Sequence, residues 1–136
     1  MNVTAKIKGA GSMTENYQKD ILMRELTDLL HRLGVPAHLK GFYYLREAIL
    51  MCEAENGLME GITKWIYPEI ARRHKTTAAR VERAMRHAIT VAWERGDIDM
   101  IEQWFGYCID NRRGKPTNSE FVTLVADRLR IGKIAV

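Results

Sequence analysis

The chain has 136 residues and a mass of 15.7 kDa, enough for one compact domain. Hydrophobic residues make up 46% and charged residues 28%, which excludes wholesale disorder; no apolar run is long enough for a membrane span, and the polar, Lys-bearing start does not read as a secretory leader. A net charge of +4 with a pI near 9.2 is compatible with nucleic-acid binding but does not require it.

Residues 1–12 lack periodicity and end in Gly-Ala-Gly-Ser. They read as a flexible arm or an appended remnant, with 13–136 forming the folded domain. From there the apolar spacings are three and four throughout, which predicts an all-α bundle of about six helices. The first helix is expected from Thr14 to Arg32, with Ile21, Leu22, Leu26, Leu29 and Leu30 on its apolar face and Gly34 and Pro36 ending it. A second runs from Ala37 to Glu53 over Leu39, Phe42, Leu45, Ile49 and Cys52, and Asn56 and Gly57 close it. A shorter element begins near Gly61 and carries Ile62, Trp65 and Ile66. Pro68 then opens a helical turn through Arg73, since proline tolerates only a first turn.

His74, Lys75 and Thr76 make a tight connection, and Thr76 or Thr77 caps a long helix, Ala78–Arg95, that Gly96 ends. Asp97 or Asp99 caps a short helix with Ile101, Trp104 and Phe105. A polar, basic loop covers Asp110–Lys115, and Thr117 with Glu120 has capping-box spacing for the last helix, over Phe121, Leu124, Val125 and Leu129.

The helix at 78–95 has two unlike sides. Val81, Ala84, Met85, Ala88 and Ala92 share one; Ala79, Arg80, Arg83, Arg86, His87 and Thr90 share the other, with Glu82 at its edge. From Arg72 to Arg86 six cations face Glu82 alone, a local +5 in a chain of +4. A short helix, a tight turn and a longer helix is the order of a helix-turn-helix, whose second helix enters the major groove. There Arg can grip guanine O6 and N7, and Glu can accept from cytosine N4. Thr76, Thr77 and the free amides at the helix start suit a phosphate. The residues alone leave two readings open: a solvated arginine face, or a surface that reads duplex DNA. The second requires the guanidinium groups to be exposed and not tied up by carboxylates.

The segment TTAARVERAMRHAI at 76–89 closely resembles the recognition segment of the sporulation response regulator family of stage zero sporulation protein A. LGVPAHLKGFYYLREA at 33–48, ITKWIYPEIA at 62–71, VAWERGDID at 91–99 and KPTNSEFVTLVADRLR at 115–130 are similar to the same family in the same order. The resemblance implies the all-helical C-terminal effector domain of a two-component phosphorelay regulator. It implies sequence-specific binding of double-stranded DNA at a TGTCGAA-like box, with a second copy on an adjacent box. It implies base reading by Glu82, Arg83 and Arg86, with Arg80 and His87 on the same surface, and continues into Lys115 as a backbone-phosphate contact. A serine common in the family is Ala79 here, so one hydroxyl is lost.

In the family, the segment after the recognition helix touches the RNA polymerase sigma factor. Here that implies Asp97, Met100 and Phe105, although Met100, Glu102, Gln103 and Trp104 replace smaller or serine residues. The family's regulators begin with a phosphoacceptor receiver domain, for which the 136 residues leave no room. The chain is then an excised domain or a receiver-less relative. As the latter it would be an antagonist or interaction module, occupying the box or pairing with a full-length relative without activating transcription.

His31, His38, His74 and His87 lack zinc-ligand spacing, so no metal and no cofactor is expected, and no catalytic constellation marks an enzyme. Cys52 and Cys108 are too few for a disulfide framework, which fits a cytoplasmic setting. Cys52 is expected in the core, with Trp65, Trp93, Trp104 and Phe105.

Overall fold

The computed structural model describes residues 3–54, 62–105 and 114–135, with side chains over 14–54, 64–105 and 114–131. Its described elements are all helical: α1 (Val3–Arg32), α2 (Lys40–Ala54), a π-helical turn (Ile62–Ile66) running into α3 (Tyr67–Arg73), α4 (Ala78–Arg95), α5 (Ile98–Phe105) and α6 (Asn118–Ala135). Asn56, Gly57, Gly61, Cys108, Asp110, Arg112 and Arg113 lie outside the described residues.

Helix α1 starts well before the expected Thr14. Winding needs only local hydrogen bonds, so it continues past the point where the apolar pattern begins. The packed part is shorter. Residues 14–21 are all exposed, Ile21 included, and Leu22 is the first buried side chain. The helix ends as the sequence predicts. Val35 N–H donates to the Leu30 carbonyl and Gly34 N–H to that of His31, a Schellman closure that needs the left-handed φ of +95° that Gly34 supplies. Helix α2 begins at Lys40 and not at Ala37, because the preceding residues form a turn closed by Leu39 N–H on the Pro36 carbonyl.

Helix α2 packs against both α4 and α6. Phe42, Leu45, Ala48, Ile49 and Cys52 meet Val81, Met85, Ala88 and Ala92 on one side and Phe121, Val122 and Val125 on the other, all nearly inaccessible. Each large apolar side chain so buried contributes about 1.5–3 kcal/mol. The α2–α4 approach is set by Gly41, where a β-carbon would overlap the Ala84 carbonyl. Phe105 stacks on Phe121 with ring centroids 5.3 Å apart, and the Trp93 ring stands edge-on to both. Trp104 is half-buried beneath the Arg128 guanidinium. Trp65, expected in the core, is 46% exposed: the π-helical turn rotates it outward while Ile66 and Tyr67 face in. Pro68 lacks the N–H that an α-helical bond to the Lys64 carbonyl would use, and the winding changes at that point.

Candidate nucleic-acid interface

The turn between α3 and α4 is fixed from both ends. Thr76 N–H donates to the Ala71 carbonyl and Lys75 N–H to that of Arg72, a second Schellman closure. Its left-handed residue is Lys75, at φ +53°. Thr77, not Thr76, is the N-cap of α4: its side-chain oxygen accepts from Arg80 N–H at 3.2 Å. Helices α3 and α4 pack directly on each other, so residues 67–95 form a helix-turn-helix.

The buried stripe of α4 holds Val81, Met85, Ala88, Ile89 and Ala92, which leaves the expected crest outside. Arg80, Arg83 and His87 are exposed, and their side chains make no hydrogen bond or ion pair with a described residue. Arg86 is exposed but departs from the expectation that the crest be free of carboxylates: its Nη1 donates to Glu82 Oε1 at 2.8 Å, one turn away, and this solvent-facing pair must open before either group can meet a base edge. Lys115 is half-buried beside the crest and donates from Nζ to Thr90 Oγ1 at 2.5 Å. A cleft of about 430 Å³ separates the crest from the start of α6, lined by Tyr67, Glu82, Arg86, Lys115, Thr117 and Asn118.

The local charge excess is smaller than the linear sequence indicates. Arg72 and Arg73 both bond to Glu69, and Arg73 and His74 also approach Glu47 of α2, at 3.7 and 2.5 Å. Hydrogen bonds from Arg72 and then Arg73 hold the Glu69 carboxyl down to about 2. Glu47 lies 25 residues or more from these partners, so a window around the turn misses it. Of the six cations between Arg72 and Arg86, three keep no described carboxylate partner: Lys75 in the turn, and Arg80 and Arg83 on the α4 crest.

Asn118 is the functional-region residue that sequence reasoning passed over. Thr117 and Glu120 form the predicted capping box, Thr117 N–H to Glu120 Oε1 and Glu120 N–H to Thr117 Oγ1. This seats Asn118 at the first turn of α6 with its amide turned inward. Nδ2 donates to the Tyr67 hydroxyl and to the main-chain carbonyl of Glu82, both at 3.0 Å. Burial pushes the Tyr67 phenol above its ordinary pKa, which keeps it neutral.

Beyond α4, Asp97 caps α5 by accepting from the Asp99 and Met100 amides. Asp97, Ile98, Asp99, Glu102 and Gln103 are exposed, and Ile98 is 72% so. Met100 is half-buried. Phe105 is 1% exposed and belongs to the core, so it does not lie on the surface where the resemblance set it. Among the described residues no group of His, Cys, Asp or Glu side chains is placed to hold a metal ion, and no helix is long and apolar enough to cross a membrane. Cys52 is buried, and desolvation raises its thiol pKa.

A family model described as sporulation initiation factor Spo0A C terminal matches residues 26–129, well over half of the chain. The match covers the whole helix-turn-helix, the crest of α4, α5 and the packed part of α6. It begins inside α1, near where that helix enters the core at Leu22. The chain therefore belongs to the Spo0A C-terminal family of DNA-binding sporulation regulators.

Proposed function

We propose that the domain reads a TGTCGAA-like box in double-stranded DNA by laying the N-terminal half of α4 in the major groove. Arg83 and Arg86 donate to guanine edges and Glu82 accepts from a cytosine amino group. Arg80 and His87 flank them in the groove. Thr76, Thr77 and Lys115 hold backbone phosphates, helped at the α4 start by the positive end of the helix dipole. A second copy occupies the adjacent box. The outer face of α5, with Asp97 and Met100 at its start, meets the sigma factor of RNA polymerase, and Phe105 supports that face from behind. The setting is the cytoplasm, and the work is binding with no covalent step.

One observation carries the reading: on a helix-turn-helix of this family, Arg80, Arg83 and His87 stand exposed in a row, tied to no described carboxylate. The test is an anisotropy titration at physiological salt against a TGTCGAA duplex and a scrambled duplex of equal length. The box duplex should bind about a thousandfold more tightly, within the usual range for specific over non-specific sites. Equal affinities would overturn the proposal.

A further inference from the structure

Among the described residues Asn118 is the one buried polar side chain apart from the tyrosines and Cys52. Its place is not explained by α6 alone, because the capping box is complete without it. The amide group has two N–H bonds, and both are used across helix boundaries: one on the Tyr67 hydroxyl of α3, one on the Glu82 carbonyl of α4. These are the two helices of the helix-turn-helix. The second bond lands on the main chain of a residue in the proposed base-reading set, between Arg80 and Arg86. Buried N–H groups paired in this way cost little while the bonds hold, and they penalise any arrangement that breaks them. Apolar packing alone tolerates small rotations of a helix about its axis. Two directed hydrogen bonds to fixed points do not.

We infer that Asn118 is a positioning residue for DNA recognition, setting the rotation of α4 relative to α3 so that Glu82, Arg83 and Arg86 meet the base edges together. The inference rests on the proposed base-reading role of α4. Asn118 lines the cleft floor but reads no base itself; it acts through the Glu82 backbone. A small rotation of α4 leaves charge attraction to phosphates nearly unchanged, since that attraction is long-ranged, while it breaks the narrow geometry of bidentate base contacts.

The test uses the full chain with Asn118→Ala and the milder Tyr67→Phe, which removes one of the two acceptors and leaves the Glu82 bond in place. Each is titrated against the box duplex and the scrambled duplex, at a temperature where circular dichroism shows full helicity. Asn118→Ala should lower the ratio of the two affinities by about tenfold, the size of one lost base contact, with scrambled-duplex affinity within about twofold of the parent. Tyr67→Phe should lower the ratio less. If both variants fold and keep the parental ratio, Asn118 only stabilises the fold and the inference is overturned. If Asn118→Ala does not fold, Tyr67→Phe decides alone. If the parent chain itself fails to discriminate, the base-reading proposal falls instead, which is a separate outcome.

Discussion

Arg86 Nη1 lies 2.8 Å from Glu82 Oε1, one turn apart on the outer side of α4. The pair is largely solvent-facing, so it adds little to stability. Each group is the other's partner in the free domain, so the pair has to part before Arg86 can donate to a guanine and Glu82 can accept from a cytosine. Glu82→Ala removes the acceptor and one negative charge from a surface that must approach phosphates. Discrimination between box and scrambled duplexes should fall by about 1–3 kcal/mol, while scrambled-duplex affinity rises at low salt. Parallel titrations at two salt concentrations measure both. Unchanged discrimination would remove Glu82 from the base-reading set.

Arg83 and Lys115 should respond differently to truncation. Arg83 has no described partner, and its guanidinium is aimed outward. Arg83→Ala should cost about 1–3 kcal/mol on the box duplex and relax one base position in a binding-site selection. Lys115 reaches the crest from the loop before α6 and is steadied by Thr90. Lys115→Ala should weaken box and scrambled duplexes alike and reduce the slope of log affinity against log salt by about one. A base-selective loss for Lys115→Ala would contradict its assignment to phosphate.

The helix-turn-helix and its caps were legible because they are local. Thr77, Asp97 and the Thr117–Glu120 box act within a few residues of themselves, and periodicity alone separated Val81 and Met85 from Arg80 and Arg83. What was not legible depends on distant chain segments. Glu47 reaches His74 and Arg73 from α2, and Asn118 reaches Glu82 from 36 residues away. Phe105 matches the family pattern whether it faces polymerase or Phe121; only packing decides. Trp65 moved outward because a π-helical turn breaks the 100° spacing on which its expected burial rested.

Gly41 fixes how closely α2 and α4 approach, because any β-carbon there meets the Ala84 carbonyl and the Ala88 methyl. Neither neighbour is the free end of a flexible chain, so one helix must move. Gly41→Ala should destabilise the domain by about 1–3 kcal/mol or more through overpacking, despite the better helix propensity of alanine. Urea unfolding followed by circular dichroism gives the difference. A neutral or stabilising result would show that the α2–α4 contact is looser than the geometry requires.

Two helix ends have the same closure with different residues at the left-handed position. Gly34 occupies it after α1 and Lys75 after α3. A side chain with a β-carbon is strained there, by roughly 1 kcal/mol. Lys75→Gly should therefore stabilise the domain by about 0.5–1 kcal/mol, since the conformation is kept and the clash removed. Lys75 also adds a positive charge in the turn that leads into α4. The same variant should bind DNA less tightly, most visibly at low salt. Greater stability with weaker binding would identify the lysine as retained for charge. Lower stability would refute the strain argument.

The Glu69 carboxyl, hydrogen-bonded by Arg72 and Arg73, titrates at about 2 in the folded domain, below its ordinary value of 4.5. A depressed folded-state pKa means that the unfolded chain binds the proton first as pH falls. The stabilising contribution is therefore fully present above pH 4.5 and is lost as pH falls through about 2. Glu69→Gln removes the charge at all pH values. The stability gap between parent and variant should be constant from pH 7 to pH 5.5, narrow below 4.5, and have nearly closed at pH 2. Denaturant midpoints across this range provide the comparison, with urea as the denaturant because guanidinium salt screens the pair. A gap that vanishes already at pH 4 would mean that the two arginines do not hold the carboxylate as the geometry indicates.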